Sequence, residues 1–218
     1  MKTAKKAMLM TLCAIILVVA TVFGTMAYLT STDEVINTFT VGNVAIKLDE
    51  APVDVNGKAT AGDRVQANSY KLLPGLEYDK DPTVTVLANS EESYVKMTVT
   101  FSKAAELDAI FAPGGADLIS IFGGYDASTW IAKGNTKDAA NNTRTYEFWY
   151  KESVGASADD VALAPLFTTI TVPSTITKEQ LATIEGMTIT VNAYAIQADG
   201  FENADEAWEA FEGVSTGR

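Results

Sequence analysis

The chain has 218 residues, 47% of them hydrophobic, and carries 16 basic against 28 acidic side chains, a net charge of −12. This length suffices for one sizeable core, and the acidity argues against nucleic acid as a partner, because phosphate binding needs clusters of Lys and Arg. The absence of histidine and the presence of a single cysteine exclude Ser-His-Asp and Cys-His catalysis and histidine-ligated zinc, so we predict that the protein is not an enzyme.

Residues 1–27 have the three-part layout of a secretory signal peptide. Three lysines precede the apolar run Met8–Phe23, which is short for a bilayer span, and small residues follow it. Tyr28 and Leu29 could extend the run, so an uncleaved membrane anchor is the alternative. Cleavage after Ala27 would leave 13 basic against 28 acidic side chains, a net charge of −15. We expect a secreted or cell-surface protein whose only membrane contact is the signal peptide before cleavage.

The remainder, 28–218, is predicted to form a single β-rich domain. The only cysteine, Cys13, lies in the signal, so the mature chain would contain no disulfide. Ala51–Asn68 reads as a long loop or short hairpin, and Asp117–Asn142 shows no clear periodicity. Alternating or β-branched runs predict strands at Asn37–Asp49, Thr83–Ala88, Tyr94–Phe101, Thr143–Lys151, Leu166–Val172 and Met187–Gln197.

Only short helices are predicted. One spans Lys103–Phe111. Thr177 with Gln180 forms a capping box for a second, and Asn203 caps a third that has Glu206 in its first turn. Many strands with turns between them and few helices indicate an all-β fold, a jelly roll or sandwich of antiparallel strands with a few short peripheral helices.

Aromatic residues at alternating positions supply the candidate contact residues. Tyr146, Phe148 and Tyr150 share one face of a strand, which is typical of a core. Trp149 points to the opposite face and is the candidate exposed contact, whereas Trp208 in the last helix is most simply a core anchor. Trp149 would serve the alternative function, a monomeric cell-surface module that binds a glycan or a host surface.

No cofactor is predicted. Adjacent carboxylates at 91–92, 159–160 and 205–206 occupy turn or cap positions, where solvated charge explains them. An extracellular acidic protein with carboxylates in loops can bind calcium weakly. Weak Ca2+ binding is therefore left open, without named ligands.

The stretch Gly24–Glu50 joins the signal to the first strand. It reads GTMAYLTSTDEVINTFTVGNVAIKLDE: small residues, an aromatic residue, a polar segment, then Asn-Thr-Phe-Thr-Val-Gly and an alternating strand. This order resembles the N-terminal signature of the TasA/camelysin family, exported biofilm-matrix proteins of Gram-positive bacteria that a dedicated SipW-type signal peptidase processes. Leu72–Val99 and Asn192–Phe211 are similar to the same family.

The resemblance implies cleavage between Ala27 and Tyr28 by a SipW-type peptidase, a jelly-roll domain and self-assembly into extracellular fibres. The released residues 28–39, here called the donor segment, would add a strand to the sheet of the next subunit. Assembly at a net charge of −15 would need salt, divalent cations or a lower pH. Some relatives are classed as metallopeptidases, an activity that a chain without histidine does not support. The residues implied in assembly are Tyr28, Val35, Ile36 and Phe39.

Overall fold

A computed structural model of the protein describes residues 43–111, 117–156 and 158–215. The predicted signal peptide, the cleavage site at Ala27 and Tyr28, and the donor segment with Val35, Ile36 and Phe39 lie outside the described residues. The first half of the predicted strand at 37–49 lies outside them as well. Those predictions therefore stay predictions.

Antiparallel strands make up most of the regular structure. They are β1 (Ile46–Asp49), β2 (Glu77–Asp79), β3 (Thr83–Val86), β4 (Ser90–Ser102), β5 (Phe122–Gly123), β6 (Trp130–Asp138), β7 (Thr143–Tyr150), β8 (Val154–Ala156), β9 (Val161–Ala162), β10 (Thr169–Thr171) and β11 (Ile189–Gln197). The helices are α1 (Ala104–Phe111), α2 (Lys178–Thr183) and α3 (Ala204–Ser215), with a 3₁₀ turn at Leu118–Ile121.

The strands form three sheets. The largest has the order β11-β4-β7-β6, with β8 beside β4, and the two smaller sheets have the orders β1-β3-β9 and β2-β10-β5. The 13-residue β4 lies between β11 and β7 in the largest sheet. Along its second half, apolar residues at every second position alternate with polar residues, a pattern typical of a strand. The inward-facing side chains of β4 are fully buried: Val95, Met97, Val99 and Phe101.

The core lies between the largest sheet and the smaller ones. Phe101 on β4 stacks against Phe122 on β5 with ring centroids 5.9 Å apart, and Phe122 stacks against Phe167 at 4.0 Å. Val84 and Val86 on β3 are also fully buried in this cluster. The expected all-β fold, a sandwich of antiparallel strands with a few short helices, is confirmed.

The predicted helix starts are confirmed in detail. The Thr177 hydroxyl accepts from the Gln180 backbone N–H, and the Gln180 side chain accepts from the Thr177 N–H, so the capping box is complete. Asn203 Oδ1 accepts from the Glu206 N–H. The Glu206 side chain accepts a hydrogen bond from the backbone N–H of Glu202. In a capping box it would accept from the N–H of Asn203, the N-cap residue, so here it holds the backbone one residue earlier in the chain.

The longest strand missed by the sequence is β6, in the segment without periodicity. Trp130 is buried, but every residue from Ile131 to Asp138 is exposed. Because this edge strand has no buried face, its sequence shows no alternation of apolar and polar residues from which a strand could be predicted. Its pairing with β7 shifts register between Ala132 and Gly134, and the positive φ of Gly134 at that point favours glycine.

Truncation of Phe167 should measure the energy of the packing between sheets. We expect Phe167→Ala to lower the free energy of unfolding by about 3–5 kcal/mol, because it removes a fully buried ring stacked on Phe122. Urea denaturation is the measurement. The control Val161→Ala, on an exposed side chain of β9, should change stability by less than about 0.5 kcal/mol. Equal effects of the two substitutions would contradict this description of the core.

Candidate functional site

A large groove opens between β1 and β11. It encloses about 1290 Å³ and is bordered by β1, by the loop at 65–72 and by the segment from α2 to the start of β11. The floor of the groove is apolar and is formed by side chains that pack against the core. These side chains are Ile46, Leu48, Leu107, Phe111, Leu181, Ile189 and Val191.

The edge of β11 beside this groove carries backbone groups that do not bond with β4. Ser102 donates to the Thr188 carbonyl at 3.0 Å, and Ala198 donates to the Glu92 carbonyl at 2.7 Å, so the even-numbered residues of β11 are the ones bonded to β4. The N–H and C=O groups of the odd-numbered residues, among them Val191 and Ala193, therefore point away from β4. Within the described ranges no strand pairs with that side of β11.

Burial across the sheet shows the same asymmetry. Met97 and Val99 on β4 are fully buried, whereas their neighbours on β11, Ala193 and Val191, are only half-buried. On β1, Ile46 and Leu48 are likewise half-buried. Among the parts of the chain that the structure describes, β1 has a strand partner on one side only, β3. The half-buried apolar residues that line the groove, Val191 on β11 and Ile46 and Leu48 on β1, are therefore not fully covered.

A buried polar cluster occupies one wall of the groove. Lys80 Nζ donates to Glu50 Oε2 at 2.5 Å, and both side chains are less than a tenth exposed. Asn68 Nδ2 donates to the other oxygen, Glu50 Oε1, at 3.1 Å and to the Ala51 carbonyl at 2.8 Å. Asn68 Oδ1 accepts from the Val53 N–H at 3.1 Å. One carboxylate therefore holds an amine and an amide together.

Tyr70 forms the aromatic side of this cluster. Its ring centroid lies 5.9 Å from Lys80 Nζ, and its hydroxyl donates to the Asp79 carbonyl. Burial raises the pKa of Tyr70, and the nearby charge of Glu50 adds to the increase. The hydroxyl thus stays protonated and acts as a hydrogen-bond donor at neutral pH.

The sequence alone does not single out Glu50, Lys80 or Asn68 as site residues, although one signal is present. Glu50 continues the inward face of Ile46 and Leu48 on β1, and a charge at an inward position of a strand needs a buried partner. No sequence pattern links Lys80 or Asn68 to Glu50, so only the fold determines which residues become the partners of Glu50.

Arg64 fixes the loop at this end of the groove. Its Nε donates to Asp49 Oδ1 at 2.5 Å and its Nη1 to Asp81 Oδ2 at 2.8 Å, while Lys47 lies 2.7 Å from the other Asp49 oxygen. Burial acts to raise the pKa of Asp49, but hydrogen bonds from Lys47 and Arg64 outweigh it, so the pKa lies below its ordinary value. The ionised carboxylate ties β1 to the loop.

Trp149 lies on the opposite face of the largest sheet, under α3. Its ring is half-buried, the Lys133 ammonium lies 3.7 Å from the ring centroid, and the ring of Trp208 is 6.0 Å away. Trp208 is buried, as expected of a core anchor, and Lys96 Nζ lies 4.6 Å from its ring. A sugar that stacked on Trp149 would have to displace Lys133. The predicted role of Trp149 as an exposed contact stays a prediction.

Neither a cluster of metal-ligating side chains nor a membrane-spanning helix is found among the described residues. Among these residues, no group of three or more His, Cys, Asp or Glu side chains converges on one point. Within the same ranges, every helix is too short or too polar to cross a bilayer.

Comparisons with known proteins add no further identification. No protein-family model, no curated protein and no solved structure matches the chain. The resemblance to the TasA/camelysin family therefore stays a prediction, and the all-β fold is compatible with it.

Acid should lower the free energy of unfolding in part by protonating Asp49. Because folding lowers the pKa of the Asp49 carboxyl, its contribution to the stability of the fold is complete above the ordinary pKa of 3.8. This contribution is lost as the pH falls through the pKa of the folded state. We expect Asp49→Asn to cost about 1–3 kcal/mol at neutral pH, with the difference from the wild type narrowing toward pH 3 or below. Urea denaturation across this range tests the expectation.

The matched control for this pH series is Asp63→Asn, which removes an exposed carboxylate. Its curve should run parallel to that of the wild type. A constant difference between Asp49→Asn and the wild type at every pH would show that Asp49 does not carry the acid dependence.

Proposed function

We propose that the protein is an exported structural subunit that assembles into extracellular or matrix fibres by strand addition. After a SipW-type peptidase cleaves the signal, the donor segment 28–39 of one subunit fills the groove of the next. The observation that carries the proposal is the apolar groove beside the outward-facing backbone of β11. An added strand would satisfy these backbone groups and cover the half-buried side chains at once.

The donor segment is long enough to pair along the whole of β11, whose first three residues, Ile189–Val191, line the groove. Twelve extended residues span about 40 Å, and the nine residues of β11 span about 30 Å. In an extended conformation Val35 and Phe39 fall on the same face, because side chains alternate with period two. That face would lie on the groove floor and also carries Asn37, whereas Ile36 and Thr38 fall on the opposite face.

The connection between the donor segment and the domain favours addition to a neighbour in a fixed direction. The Asn43 carbonyl accepts from Glu91 and the Ala45 carbonyl accepts from Leu87, both at 2.9 Å. Only residues 40–42 separate this anchored point from the donor segment. A donor on one surface and an acceptor on another form a heterologous contact, which repeats into an open filament.

Charge gives the contact a second source of specificity. Lys71 and Lys178 are exposed side chains that line the groove, and the donor segment carries Asp33 and Glu34. Local attraction of this kind operates at short range, whereas the net charge of the mature chain opposes assembly at long range. We therefore expect salt to promote polymerisation by screening the repulsion.

Removal of residues 28–39 from the mature protein should abolish assembly and leave the fold intact. We expect a monomer with the same circular dichroism spectrum and no filaments by electron microscopy at any salt concentration, because side chains between residues 46 and 195 pack together into the described core. Full-length mature protein is the positive control. Filaments formed by the shortened protein would contradict strand addition by the donor segment.

Substitution of Ala193 by proline should block the acceptor edge. The N–H of Ala193 points away from β4, so proline removes a group available to an added strand and keeps the ladder with β4. We expect Ala193→Pro to remain a folded monomer. The matched control Ala193→Val keeps the N–H and should polymerise, as sedimentation and electron microscopy would show.

Mixing the two defective proteins tests whether donor and acceptor are separate. The shortened protein keeps its groove, and Ala193→Pro keeps its donor segment. An equimolar mixture should give discrete dimers and no filaments. Dimers absent from the mixture, together with filaments from Ala193→Pro alone, would place the acceptor elsewhere and favour the alternative of a monomeric binding module.

A further inference from the structure

We propose that Lys80 and Asn68 become joined by an isopeptide bond, with Glu50 as the group that moves protons. This inference concerns a covalent modification inside one chain and does not depend on the proposed fibre function. It rests on the buried cluster in the groove wall, where an amine, a carboxamide and a carboxylate converge.

The geometry brings the reacting groups together through one carboxylate. Lys80 Nζ binds Glu50 Oε2 at 2.5 Å, and Asn68 Nδ2 binds Glu50 Oε1 at 3.1 Å. The nucleophile and the leaving group thus occupy neighbouring positions on the same side chain. Holding reactants in this way replaces an encounter in solution by an intramolecular step, which accelerates reactions by large factors.

The orientation of the Asn68 amide is determined by its partners. Its Nδ2 donates to two oxygens, of Glu50 and Ala51, and its Oδ1 accepts from the Val53 N–H at 3.1 Å. That backbone donor polarises the carbonyl and would stabilise the negative charge that forms on Oδ1 during attack. The leaving nitrogen faces the carboxylate that protonates it.

Burial separates the reacting groups from solvent. The side chains of Lys80 and Glu50 are less than a tenth exposed, and Tyr70 packs over the lysine. The short contact between Lys80 Nζ and Glu50 Oε2 provides a direct path for a proton. Transfer of one proton from the ammonium to the carboxylate leaves a neutral amine, which is a nucleophile, and a carboxylic acid, which is a general acid.

The reaction balances without an oxidant or a co-reactant. Lys80 Nζ attacks Asn68 Cγ, forming the new C–N bond and placing a negative charge on Oδ1. Glu50 passes the proton that it took from the Lys80 ammonium to Asn68 Nδ2 and takes a second proton from Lys80 Nζ. The carbonyl re-forms, the Cγ–Nδ2 bond breaks, and the ammonia that leaves accepts the second proton and departs as ammonium. Glu50 is then a carboxylate again, as in the ion pair, and the product is a secondary amide between the two side chains.

The bond would fix one wall of the groove. Asn68 lies in the loop that borders the groove, and Lys80 directly follows β2, whose pairing with β10 belongs to the fold. A covalent link between them would hold the loop against the sheet while the groove stays open. Cross-linking also lowers the entropy of the unfolded chain.

Peptide mass spectrometry of the purified full-length or secreted protein is the test. Trypsin cuts after Arg64, Lys71, Lys80 and Lys96. An isopeptide at Lys80 blocks cleavage there, so we expect peptide 65–71 joined to peptide 72–96 with the loss of one ammonia. Fragmentation should place the link at Asn68 and Lys80. Because the readout is local, it is independent of signal cleavage and of filament formation.

Two variants and one control assign the roles. Glu50→Gln keeps the shape of the side chain and removes the proton carrier, and Lys80→Met removes the nucleophile; the linked peptide should disappear in both. The control Lys58→Met removes a half-exposed lysine that binds Asp79 and should leave the link unchanged. In the wild type, thermal unfolding should occur at a higher temperature than in Glu50→Gln.

Two results would overturn the proposal. The first is a wild-type digest in which peptides 65–71 and 72–80 appear separately at their full masses. The second is a loss of ammonia confined to peptide 65–71 with normal cleavage after Lys80, which would indicate cyclisation of Asn68 with its own backbone. A linked peptide that persists in Glu50→Gln would keep the bond but exclude the role of Glu50.

Discussion

The pairing of β4 on both sides is the constraint on which the rest of the structure depends. β4 bonds to β11 along one edge and to β7 along the other, and its inward side chains are fully buried. Because the even-numbered residues of β11 bond to β4, the odd-numbered ones direct their backbone away from it. The outward direction of the odd-numbered backbone groups beside the groove is thus a consequence of the pairing between β4 and β11.

The groove wall shows how the fold accommodates buried charge. Lys80 and Glu50 lie where desolvation is costly, and an ion pair there is favourable only when each remaining hydrogen-bonding position is filled. Asn68 fills the second oxygen of Glu50, and its own amide is held by Ala51 and Val53. These hydrogen bonds restrict the motion of three groups that are chemically able to react.

Sequence reasoning predicted the local structure well and the site poorly, for identifiable physical reasons. β7 and β11 were predictable because their alternation and β-branched content act within the segment itself, and the capping box at Thr177 involves residues three apart. β6 has no buried face to reveal it. The cluster of Glu50, Asn68 and Lys80 joins residues up to 30 apart, a separation at which no local pattern constrains the partner.

Electrostatics would separate the proposed assembly from unfolding in acid. Folding lowers the pKa of Asp49, through Lys47 and Arg64 acting against burial, and that of Asp79, first through the Ala59 backbone N–H. A fully solvated carboxylate titrates near its ordinary value of about 4. A carboxylate with an ordinary pKa is therefore protonated before Asp49 and Asp79 as the pH falls. In the proposed fibre, such protonation would reduce the repulsion between subunits while the carboxylates that hold the loops remain ionised. Stronger acid would then remove the interactions that maintain the fold.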